Sequence, residues 1–221
     1  MTQALKMTRL DFFTMKPIIK SYLIMLVIPV GMAFMDSSAM LAGMTCAWVM
    51  ALTASSIFSL EEKNDLSRLY GTLSIKPTHI VAGRYLFVLF ALVVVMAIVM
   101  PLSAVVSTFA HGADYLPDYL ESLLPGIVFG ITAFSITVGM QFPFFFAMGY
   151  TAARYWSLLP FLAMMLLVFV PGLIGGPEGG IADWFLQNPG LLMPLGLAAS
   201  AVVLAGSVAV SLGLYRARRR R

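Results

Sequence analysis

Residues 57–86 read IFSLEEKNDLSRLYGTLSIKPTHIVAGRYL, the longest polar interruption in an otherwise apolar chain. The stretch carries the bases Lys63, Arg68, Lys76 and Arg84 and the acids Glu61, Glu62 and Asp65. Leu66, Leu69, Tyr70 and Leu73 fall at i, i+3, i+4 and i+7, which puts them on one helical face, with Glu62, Asp65, Arg68 and Thr72 pointing elsewhere. Gly71 weakens the last turn. Pro77 cannot continue that helix, yet it suits the opening turn of a second helix leading into the next apolar run. The spacing leaves two readings open: an amphipathic helix at a membrane surface, or a plain connector between two spans.

Working outward, the 221 residues are 60% hydrophobic and 11% charged, with mean hydropathy +0.92. Soluble domains carry about 25% charged residues. So much apolar surface needs lipid as its solvent. The single cysteine, Cys46, excludes an intrachain disulfide and lies in an apolar run, as a small packing residue does. The first apolar run is span-length and has no small-residue cleavage site, so no cleavable signal peptide is expected.

At roughly 20 apolar residues per span, the chain divides into six: 18–34, 39–60, 85–110, 123–150, 155–174 and 190–215. The lead, MTQALKMTRLDFFTMK (1–16), is too charged to span and shows no clean stripe. It reads as a surface helix or as a flexible basic lead-in. Segment 61–84 separates the second and third spans, and the tail 216–221 is nearly all arginine. Four bases stand in the N-terminal lead and first turns (Lys20 near the inner end of span one), four in 61–84, one at Arg154 and five in the tail. The remaining loops hold no Lys or Arg and six of the ten acids. The positive-inside rule then places both termini and the even-numbered loops in the cytoplasm. Arg84 and Arg154 become cytoplasmic anchors, and the tail an anchor on anionic lipid. The expected fold is all-α: a polytopic membrane protein in one domain, six transmembrane helices, both termini cytoplasmic.

Enzyme and nucleotide motifs are missing. No G-x-x-x-x-G-K-[ST], H-E-x-x-H or G-x-S-x-G occurs. His79 and His111 fall on opposite sides of this topology and make no metal site, and nucleic-acid binding by the tail is not expected. The middles of the spans lack the ionisable residues that ion-coupled transporters use. Gln141 is the most polar interior residue, beside the Pro143 kink. It either faces a pathway or bonds a neighbouring helix. Prolines inside spans free carbonyls that neighbours must satisfy. Gly126-x-x-x-Gly130 and the small-residue face of 198–213 allow close helix contact, within the chain or between two chains. Sixteen Met and sixteen Phe suit an adaptable surface for hydrophobic cargo, or simply helix packing and lipid contact.

Phe58, Glu61, Glu62, Lys63, Asn64 and Leu69, then Leu73, Ile80, Val81, Gly83, Arg84 and Tyr85, resemble the signature of the ABC-2 type permease family, the short membrane subunits of ATP-driven exporters. PFFFAMGYTAAR (143–154) is similar to that family's Pro–aromatic–Gly–x4–(K/R) stretch. The chain departs from the pattern at Ser74, usually Pro, and after Gly149, where a charge is common. The resemblance implies a membrane subunit without catalysis of its own, in a multi-pass position in a prokaryotic cell membrane. It implies ATP and Mg bound in a partner ABC-type ATPase, none in this chain, and a second permease chain, identical or related. It also implies a connecting helix near the N-terminus and cargo among drugs, lipids, polysaccharides or amphipathic peptides. The coupling helix would then be 61–73, with Glu61, Glu62, Lys63, Asn64, Leu66, Arg68, Leu69, Tyr70 and Leu73 meeting the ATPase. A different reading of the same helix is a non-transporting scaffold or sensor that recruits a cytoplasmic partner.

Overall fold

The structure, a computed structural model, describes residues 3–34, 39–66, 75–163 and 189–219. All regular structure among them is helical. Helix α1 (Gln3–Met15) passes through a 3-10 turn (Lys16–Ile18) into α2 (Ile19–Met25) and α3 (Val27–Met32). Then come α4 (Ala39–Lys63), α5 (Pro77–His111), α6 (Leu116–Met148), the short α7 (Tyr150–Ala153) and α8 (Pro189–Arg219).

Among the described residues, five helical stretches are long and apolar enough to cross a membrane: Met7–Met32, Ala39–Lys63, Pro77–His111, Ala113–Met148 and Met193–Arg218. By length and composition they are the helices of a multi-pass membrane protein. Of the expected span 155–174, only 155–163 is described; the rest, like the turn 35–38, lies outside the described residues.

The lead and the first span are not separate elements. Pro17 stands at the start of the 3-10 turn, where its missing N–H is not needed, so it tightens the coil without ending it. The lead also has a tertiary partner: Met7 and Met15 are buried in the core, and the Thr8 hydroxyl donates to the Gly83 carbonyl at 3.1 Å. Burial against α5 supplies the order that the weak stripe of 1–16 did not promise.

Helix α5 opens at Pro77 after an extended Lys76, as the Pro signal predicts. Residues 77–84 are therefore the first two turns of the third long helix, not part of a connector. At 35 residues it is about 52 Å long, beyond the ~30 Å hydrocarbon core. His79 and His111 stand near its two ends, about 48 Å apart at 1.5 Å per residue. Helix α6 likewise begins earlier than span-counting suggests, because Pro117 and Asp118 favour a helical first turn.

Helix α6 is the centre of the bundle, with α4 along one side and α8 along another. Glycine fixes both contacts. A Cβ on Gly43 would lie 2.2 Å from the Gly126 carbonyl oxygen, one on Gly126 2.6 Å from that of Ala39, and one on Gly130 2.7 Å from that of Gly43. The Gly126-x-x-x-Gly130 face thus closes on α4 of the same chain, backbone to backbone. On the α8 side, a Cβ on Gly139 would meet Val203 at 2.6 Å, and one on Gly196 would meet Val128 and Thr132 at 2.9 and 3.0 Å.

The proline expectation is met in detail at Pro143. Its ring supplies no N–H to the carbonyl four residues back, that of Gly139. The Ser207 hydroxyl of α8 donates to that carbonyl at 2.7 Å. Ser207 is held in turn by Tyr85 of α5 at 2.5 Å, and Tyr85 by Ser211 at 3.0 Å. One polar chain therefore joins α5, α6 and α8 where the bundle can offer no water. Outward faces are apolar: on α5, Phe90, Val93, Ile98, Val105 and Phe109 are exposed.

Candidate functional site

The N-terminal lead, the end of α4, the start of α5, the α6–α7 corner and the end of α8 meet at one end of the bundle. Its floor is aromatic. Phe142, Phe145 and Phe146 stand at i, i+3 and i+4 on α6, so they share one face, and all are buried around Phe58 at centroid distances of 4.9–5.0 Å. Tyr85 closes on Phe142 at 4.9 Å and Tyr215 on Phe146 at 5.5 Å. Phe144 turns the other way and stacks on Trp156.

Arg84 lies on this floor, 1% exposed. Its guanidinium stands 4.6 Å over the Phe58 ring and 5.7 Å from that of Phe146, and it pairs with Glu61 at 2.7 Å. Asp11 of α1 is buried within reach of the Arg84 and Glu61 charges. A lone charge in such a place would be very costly, so the pair and the ring faces are what make Arg84 tolerable. Arg84, expected as a cytoplasmic anchor, is buried at this end of the bundle. Arg154 does face outward, folded over the exposed ring of Tyr155 at 4.6 Å.

Glu62 reaches across to the α6–α7 corner. Gly149 takes φ +83, which glycine adopts without strain, and α7 starts immediately after it. The Glu62 carboxylate accepts the backbone N–H groups of Tyr150 at 2.7 Å and Thr151 at 3.1 Å, and the Thr151 hydroxyl as well. These are the orphan donors of a helix start, capped here by a side chain from another helix. A Cβ on Gly149 would fall 3.0 Å from Arg218 and 3.2 Å from Glu62, so the corner admits no larger residue without displacement. Between floor and corner is a cavity of about 290 Å³, lined among others by Glu61, Asp65, Arg84, Tyr150 and Arg218.

The expected coupling residues part company here. Glu61, Glu62 and Lys63 form the last turn of α4, and Asn64 and Asp65 turn the chain, Asp65 with φ 51. A single uninterrupted helix from 61 does not form. Lys63 and Asn64 are exposed, and Leu66 packs against the core edge. Arg68, Leu69, Tyr70 and Leu73 lie outside the described residues. Gln141 takes the packing alternative: buried, it donates to the Ser157 carbonyl at 2.9 Å and so ties α6 to the segment after the corner. Pro143 is inside α6, bracketed by Ser207 as above.

Sequence reasoning assigned no role at this end to Thr8, Asp11 or Ser207, and it marked Tyr85 and Thr151 only as members of the motif stretches and Arg218 only as part of the basic tail. Asp11 carried a signal, as the only acid in the lead. The rest are ordinary residues made special by which helix stands opposite. Among the described residues no three His, Cys, Asp or Glu side chains gather as a metal site.

A family model described as "ABC-2 family transporter protein" matches residues 6–216, nearly the whole chain. No curated protein and no solved structure matches.

Proposed function

The chain belongs to the ABC-2 transporter family, and from this we propose that it is the permease subunit of an ATP-driven exporter. ATP and Mg are bound by a separate ABC-type ATPase. A second permease chain, identical or related, completes the pathway. The charge-bearing end faces the cytoplasm of a prokaryotic cell, since all four basic segments of the sequence lead to it. The cargo is hydrophobic or amphipathic, because the spans offer Met, Phe, Ser and Thr and no ionisable residue in mid-membrane.

The observation that carries the reading is the interlocking of the two motif stretches at that end. Phe58–Glu61–Arg84 and Glu62–Tyr150–Thr151 tie α4 to α5 and to the corner leading into 155–163. Glu61 and Glu62 brace the permease internally, so contact with the ATPase falls to Lys63, Asn64 and the segment through Leu73. A push on that segment would reach α4, α5 and the corner together, and through Tyr85–Ser207 the last helix as well.

Co-purification from native membranes with a tagged copy tests this. An ABC-type ATPase is expected to come down with the wild type and to be released by Lys63→Glu with Leu69→Asp. ATPase stimulation by candidate peptides or lipids then names the cargo class. An ATPase held unchanged by that double variant removes the docking role from the segment. A non-ATPase partner held through the same residues supports the scaffold reading instead.

A further inference from the structure

An apolar groove of about 210 Å³ runs along the outside of the bundle between the first helical stretch, α4 and α5. Phe12, Ile19 and Leu23 line one wall and Phe87, Val94 and Ile98 the other. From Phe87 to Ile98 it follows α5 for about 16 Å at 1.5 Å per residue. It is smaller than the roughly 300–1,000 Å³ of drug-sized pockets, and its length suits a slender chain. Two hydroxyl-bearing residues line it, Tyr22 and Thr53, and the Thr53 hydroxyl already donates to the Val49 carbonyl.

Two cations stand beside it. Lys16 and Lys20 alternate with groove residues at the spacing Phe12, Lys16, Ile19, Lys20, Leu23, which keeps all five on one side of the helix. Both are exposed, and neither has an acidic side chain at ion-pair distance among the described residues. The Asp11–Glu61–Arg84 level lies about one and a half turns nearer the bundle end than Lys16 and about two and a half nearer than Lys20, so the ammonium groups can snorkel to the headgroup layer while the groove continues into the hydrocarbon.

We propose that this groove holds one acyl chain of an anionic glycerophospholipid whose phosphate is bound by Lys16 and Lys20. Charge complementarity selects the headgroup, and the largely apolar wall selects the tail. The site does not depend on what the protein transports or on which partner drives it.

Native mass spectrometry of the purified full chain tests it, with phosphatidylglycerol and phosphatidylcholine of matched acyl chains as probes. The wild type is expected to retain phosphatidylglycerol preferentially. Each basic residue near an anionic headgroup contributes about fivefold, so Lys16→Gln with Lys20→Gln is expected to cut the preference about thirtyfold. Val94→Phe with Ile98→Phe, substitutions on an outward face, are expected to lower retention of both lipids without loss of helix content by circular dichroism. Preference unchanged by the lysine variant, or abolished instead by Arg216→Gln with Arg218→Gln, overturns the proposal. So does a groove-filled variant that loses a dimer mass rather than lipid, which would make a second copy the occupant.

Discussion

Ser207→Ala removes a single hydroxyl from α8, which leaves the Gly139 carbonyl freed by Pro143 without its donor and takes one of two partners from the phenol of Tyr85. A buried polar group left unsatisfied costs about 1–3 kcal/mol. Hydrogen bonds measured inside membrane proteins are weaker, about 0.6 kcal/mol on average and about 1.7 at most. Tyr85 keeps Ser211 at 3.0 Å, so most of the loss falls on the carbonyl. The expected cost is therefore about 1–2 kcal/mol. The sharper test is the double variant with Pro143→Ala. An alanine at 143 supplies the N–H four residues beyond Gly139, so the carbonyl regains a partner within α6. The loss due to Ser207→Ala should then shrink, giving a coupling of about 1 kcal/mol in the cycle. Reversible unfolding in mixed detergent micelles, followed by circular dichroism, provides the four free energies. Additivity within about 0.3–0.5 kcal/mol would refute the idea that Ser207 stands in for the proline's missing donor.

Gly43→Ala drives a methyl into the Gly126 carbonyl and should cost several kcal/mol or prevent folding, whereas Gly31→Ala, with open space at its Cβ, should be neutral or slightly stabilising in the same assay. Arg84→Met leaves Asp11 and Glu61 without their counter-charge and should destabilise by about 3–5 kcal/mol; Arg84→Met with Glu61→Gln and Asp11→Asn should recover a large part, read as monodisperse yield in detergent. Gln141→Leu should remove about 1 kcal/mol and raise amide exchange at 155–158 more than in α4; equal exchange in both would argue against the tie. Thr151→Val keeps both backbone donors to Glu62 but loses the hydroxyl, so α7 should fray only slightly, while Glu62→Ala should expose 150–154 to protease.

Much of this was legible in the sequence because lipid makes hydropathy a strong signal. Pro77 marked the start of α5, and Gly126 and Gly130 marked a close helix contact. Boundaries were less legible, for a physical reason. Helices here run past the hydrocarbon, so a count of apolar residues stops at Tyr85 although the helix starts at Pro77. The lead 1–16 shows no clean stripe, and its packing against α5 and α4 is revealed only by contacts such as Thr8–Gly83. Pairings across helices were hidden for the same reason. Nothing in "EEK" distinguishes the glutamate that faces an arginine from the one that caps a distant helix. That choice follows from a 100° rotation per residue at the last turn of α4.

The contact of α4 with α6 is made by bare backbone at Gly43, Gly126 and Gly130, and this has a mechanical consequence. Side chains can change rotamer and let two helices creep past one another; a seam of glycines has no such bearings. Slipping by one residue would press Ala42 or Met44 against a carbonyl that tolerates no Cβ. The two helices therefore behave as one spar, stiff against sliding and separable only by parting along the whole seam.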